Sequence, residues 1–135
     1  MADDSDLPPQ GALPFTPPPL PAGAAPHNIE AEQALLGAIL FENEILHRVA
    51  EHLKPHHFYD PVHGQIFQAA SQLIASNKLA DGVTLKEHFT KQGTLADIGG
   101  ASYLLQLLER AARLTAHARE YADLIYDLAL RRELI

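Results

Sequence analysis

The chain has 135 residues, a formal charge of −7, and no cysteine or tryptophan. That length suits one ordinary domain, and the lack of thiols excludes disulfides, thiolate nucleophiles and thiolate metal sites. No apolar run approaches the roughly 18 residues of a membrane span, and no basic-then-apolar leader opens the chain. The expected setting is therefore the cytoplasm, with no membrane partner. Asp3, Asp4 and Asp6 account for three of the excess acids. The only basic pair is Arg131-Arg132. A domain that grips phosphates carries a basic face, so direct DNA contact is not expected.

Residues 1–26 hold eight of the ten prolines. Proline fixes φ and lacks an N–H, so neither helix nor sheet propagates there. This segment reads as a disordered tail of polyproline II character. From His27 onward apolar residues recur at helical spacing. NIEAEQALLGAILF takes Asn28 as its N-cap and buries Leu35, Leu36, Ile39 and Leu40. Its acids Glu30 and Glu32, like Glu51 further on, read as first-turn or solvated charges. NEILHRVAEHL repeats the pattern, with Asn43 as the cap.

HFYDPVHGQIF, residues 57–67, gathers two histidines, an aspartate and a proline. Asp60 then Pro61 is a helix start, with Asp60 accepting a backbone N–H and Pro61 at the first turn, where its missing donor costs nothing. Val62, Ile66, Phe67, Ala70, Leu73 and Ile74 fall on one face of the helix that follows, and Phe58 and Tyr59 cover its mouth. His63, one turn in, reads as a packed or capping imidazole. The rival reading is a metal site built from His52, His56, His57 and His63, serving a small metal-dependent hydrolase. Pro55 interrupts the helix that would align His52 with His56, and there is no HExxH.

TLKEHFTKQG opens on a capping box, Thr84 with Glu87, and closes on Gly93. Gly99-Gly100 makes a tight turn before ASYLLQLLER. TAHAREYADLIYDLALRRELI, capped by Thr115, meets no Gly, Asn or Pro stop, so it reads as running on into a further segment or a partner. Six helices and no strand make an all-α domain. GxxxxGK[ST] and GxSxG are absent, so no catalytic, cofactor or metal residue is assigned. A helical DNA-binding module is the third reading, disfavoured by charge.

PHNIEAEQALLGAIL resembles the opening of the N-terminal domain of bacterial replicative helicases of the DnaB type, through Pro26, Glu30, Ala31, Glu32, Leu36 and Gly37. FYDPVHGQIF is similar to that family's FY-x-x-x-H-x-x-I-F block, through Phe58, Tyr59, His63, Ile66 and Phe67. The resemblance covers residues 26 to 135. It implies a helical head, 27–100, followed by an antiparallel helical hairpin, 101–135, leading to a linker and a separate ATPase domain. It also implies a non-catalytic collar module, assembling as a trimer of dimers and docking primase and a helicase loader. ATP, Mg2+ and 5′–3′ helicase activity would belong to the ATPase domain. The expected self-association surface is Tyr103, Leu104 and Leu107 with Tyr121, Leu124, Ile125 and Leu128.

Overall fold

In the computed structural model, residues 25–111 and 115–134 are described. The first 24 residues of the expected proline-rich tail lie outside them. Six helices follow in order: α1 (Ile29–Phe41), α2 (Glu44–Val49), α3 (Pro61–Ala75), α4 (Gly82–Gln92), α5 (Gly100–Ala111) and α6 (Ala118–Glu133). Short 3-10 turns at Pro55–His57, Ala96–Ile98 and Thr115–His117 link them, and no strand occurs among the described residues.

α1 is the axis of the domain. Every residue from Ala34 to Leu40 is buried, not only the expected stripe of Leu35, Leu36, Ile39 and Leu40. A helix apolar all round must be covered all round, and α5, α6, α3 and α2 do so. α5 runs alongside α1 in the same direction, since Gln33 meets Tyr103 and Gly37 meets the backbone of Leu107. α6 returns the other way. Near its end, Arg132 donates to the carbonyl of Pro26, just before α1. Both helices of the expected hairpin thus lie against α1. One core runs from Ala31 through Ile125, across residue 100.

Caps settle the helix starts. Asn28 accepts the Ala31 N–H at 3.0 Å, and Asp60 accepts that of Val62 at 2.9 Å with Pro61 next, as expected. Gly93 closes α4 with φ at 74°, a left-handed conformation that glycine adopts without a Cβ penalty. Gly99 and Gly100 turn the chain into α5 at φ 102° and 77°.

Three starts differ from expectation. α4 begins three residues early because Asp81, not Thr84, is the N-cap. Asp81 takes the N–H groups of Val83 and Thr84, and Thr84 returns the bond to the Asp81 N–H. Thr115 opens a 3-10 turn, and α6 starts only at Ala118. Asn43 caps nothing. Its amide donates to the carbonyls of Ile39 and Ala80, while its oxygen accepts the Ala80 N–H, at 2.7, 2.8 and 2.9 Å. The side chain thus pins the end of α1 to the loop before α4. Asn43→Ala strands the N–H of a fully buried Ala80. It should cost about 1.5 kcal/mol in urea unfolding.

Candidate interaction surface

The FYDPVH segment reaches back to α1 through one carboxylate. Glu32, expected at the solvent, is 2% exposed. Its Oε2 accepts the Tyr59 N–H at 2.7 Å, and its Oε1 lies 3.4 Å from the Asp60 N–H. Oε1 also sits 2.8 Å from Nδ1 of His63, which is fully buried. A carboxylate only accepts, so that Nδ1 carries the proton. Nε2 is then free to accept the Tyr103 hydroxyl at 2.5 Å, and the tyrosine oxygen accepts from Gln33 at 3.1 Å. Each partner is satisfied, as a buried polar network requires. Burial pushes the Tyr103 phenol above its usual range, helped by the Asp60 and Glu32 charges and opposed by the Gln33 hydrogen bond and Arg110.

His63 is therefore the packed imidazole that its position suggested. It is a tie between α3, α1 and α5. The sequence reading missed Glu32, because a first-turn acid reads as a dipole partner. The only earlier signal was the shared occurrence of Glu32 and His63 in the two family-like blocks.

The four histidines of the rival metal reading are not brought together. His63 is committed to Glu32 and Tyr103. His57 Nδ1 accepts the Lys54 N–H at 2.8 Å. His52 and His56 are exposed. Among the described residues no three His, Asp or Glu side chains converge on a metal-sized site.

A second junction joins the end of α6 to the start of α1. Arg132 donates to the carbonyls of Pro26 and His57, at 2.9 and 2.6 Å, and stands over the Tyr59 ring. His27 stacks on the other partner of that cluster, Tyr59, at 3.9 Å between centroids. The His57 ring is edge-on to Tyr126. Burial lowers the His57 pKa from 6.5, reinforced by His56, Lys54 and Arg132 and opposed by Glu133. Here the unfolded chain binds the proton more readily, so this group's contribution is fully present above about 6.5 and is lost as pH falls toward the folded value. Unfolding stability should drop from pH 7.5 to 5.5, and His57→Asn, whose amide oxygen replaces Nδ1 as acceptor, should shrink that drop.

Of the seven residues expected to face a second copy, the structure withdraws three. Leu104 and Leu107 are 1% exposed and Ile125 is 2% exposed, all within the domain's own core. The reason is the same for each: α5 and α6 need these positions to cover α1. Tyr103 is partly exposed, with its hydroxyl held in the Glu32 network. Tyr121 and Leu128 also remain partly exposed and Leu124 is exposed. At 121, 124 and 128 they form a continuous strip on α6. No helix is long and apolar enough to cross a membrane among the described residues.

Residues 24–127 match the family model of the DnaB-like helicase N terminal domain. The chain belongs to that family. Among curated relatives, the replicative DNA helicase DnaB of Rickettsia typhi is 38% identical over 110 residues, which is 82% of this chain and 22% of that protein. That of Treponema pallidum is 36% identical over 110 residues, covering 82% and 25%. The chain thus spans about a quarter or less of these relatives. The crystal structure of the N-terminal domain of DnaB helicase from Mycobacterium tuberculosis superposes with a TM-score of 0.78 at 34% identity, covering 82% of this chain and 78% of that one. A DnaB-like replicative helicase, described with its interactions with primase, superposes at 0.69 with 26% identity, covering 78% and 25%. The DnaB-type domain is therefore the fold of this chain, and the tie between its two signature blocks is Glu32 with His63.

Proposed function

We propose that this chain is the non-catalytic collar domain of a replicative DNA helicase, assembling through α6 and docking primase during DNA replication. The observation that carries the reading is the structural match to a DnaB-like helicase described with primase. The physical support is the α6 strip. Leu124 is exposed and Tyr121 and Leu128 stay partly exposed although the core beneath them is complete, and a second copy of the helix buries such a strip on both sides of a two-fold axis. ATP, Mg2+ and 5′–3′ translocation belong to a separate domain of the parent protein. The trimer-of-dimers collar, the loader and the cytoplasmic setting are parts of the same proposal.

Sedimentation across a concentration series tests the assembly, and calorimetric titration with the cognate primase tests the docking. A monomer at every concentration together with no heat on primase addition would remove the proposal. Leu124→Asp should weaken self-association about tenfold, the cost of burying an unpaired carboxylate against a partner. Leu124 is 37% exposed, so the fold should survive, with an unchanged circular dichroism spectrum.

A further inference from the structure

Away from α6, the most exposed apolar side chains collect around α4. Val83 is 75% exposed and Leu105 57%, and with Leu108 they line a groove of ≈ 400 Å³ between the starts of α4 and α5. On the other side of α4, Leu79 is 60% exposed in a second groove of ≈ 440 Å³. Large apolar side chains grouped this way mark an interaction site rather than ordinary surface.

The charge around them differs from that of the chain. Three of its four lysines border the grooves: Lys86 on the first, Lys78 and Lys91 on the second. Among the described residues, Arg48, Arg119 and Arg131 have a carboxylate within 4.0 Å, and none of these three lysines does, nor do Lys54, Arg110 and Arg132. Asp81 is occupied by its capping bonds, which leaves Glu87 as the one acid in the grooves not committed to a cap. An acidic protein thus has unpaired cations beside the exposed apolar groups Val83, Leu79 and Leu105.

We propose that the α4 face docks an acidic segment of a partner protein. The segment's apolar side chains enter the grooves beside Val83 and Leu79, and its carboxylates meet Lys78, Lys86 and Lys91. Phosphates of a duplex would use the lysines and leave Val83, Leu79 and Leu105 in water. A second copy of this chain would add its own negative charge at every contact outside the grooves. The surface is distinct from the α6 strip, so its test is independent of the assembly proposed above.

The probe is a short amphipathic peptide with Leu at helical i, i+4 and i+7 positions and Glu between them, titrated into the isotopically labelled full chain. Backbone amides of 78–92 and 101–108 should shift, and affinity should fall about fivefold when salt rises from about 50 to about 300 mM. The same peptide with Lys for Glu should bind about tenfold more weakly. Lys86→Glu and Val83→Asp should each weaken the acidic peptide about fivefold. Lys54→Glu makes the same change in net charge in the loop before the first 3-10 turn and should leave binding unaltered. Equal binding of the two peptides would overturn the proposal. So would tighter binding of a DNA duplex, shifts confined to other helices, an equal loss in Lys54→Glu, or sedimentation showing that Val83→Asp abolishes self-association instead.

Discussion

Glu32→Ala should lower the unfolding free energy by about 3–5 kcal/mol, since each buried donor left without its acceptor costs about 1–3 kcal/mol. Three donors lose their acceptor together: the N–H groups of Tyr59 and Asp60 and the Nδ1–H of His63. All three lie at the start of α3, so the loss falls on the joint between α3 and α1. A domain of this size commonly has only about 5–15 kcal/mol in hand. Urea unfolding of the variant should therefore show a much lower midpoint, or a partly unfolded population in buffer. Glu32→Gln keeps one acceptor oxygen but turns an NH2 group toward donors, and should fall between the two. His63→Ala leaves the carboxylate with its backbone donors and should cost less than Glu32→Ala. In a double-mutant cycle, the two changes should couple by about 1–3 kcal/mol, since each destroys the same bond. Additive losses would mean that Glu32 serves only the backbone.

What could be read from the sequence was what is decided locally. Asn28, Asp60 and Gly93 act within a turn of their own position, so cap chemistry identified them. The six helices were legible for the same reason. Asn43 and Glu32 show where that reasoning stops. Each carries the chemistry of a helix start, yet each also bonds backbone tens of residues away, at Ala80 and at Tyr59. Residue type within a turn of either position does not distinguish the two uses. The stripes on α5 and α6 pose the same problem at the scale of a helix. Periodicity says that Leu104, Leu107 and Ile125 share a buried face with their neighbours, and is silent on whether the cover is α1 or another molecule. The composition of α1 held an unused clue. Ala31, Ala34 and Ala38 recur at i, i+3 and i+7 with Gly37 beside them, so the small residues of α1 share one side of the helix. At Gly37 that side meets the backbone of α5 directly.

Gly37→Ala tests this directly, and its sign is diagnostic. On an exposed helix, replacing glycine with alanine stabilises by up to about 1 kcal/mol, because glycine has more backbone freedom to lose. At position 37 a Cβ would overlap the carbonyl oxygen of Leu107, stand 2.9 Å from its carbon and 3.1 Å from the Ala111 Cβ. The obstacle is backbone within a helix, which cannot rotate aside. α1 and α5 must move apart, opening the layer that holds Leu36, Leu104 and Leu107. Overpacking of this kind costs about 1–3 kcal/mol and sometimes more. With a main-chain atom in the way, we place the net loss at about 3 kcal/mol, equivalent to a fall in melting temperature of roughly 10 °C or more. Ala111→Gly removes the one side chain near the intruding methyl and leaves the carbonyl in place. It should not restore stability in the double variant, whereas relief of a simple side-chain clash would. A stabilised Gly37→Ala protein would show that α1 and α5 do not meet this closely, and with that contact would go the register that brings Tyr103 over His63.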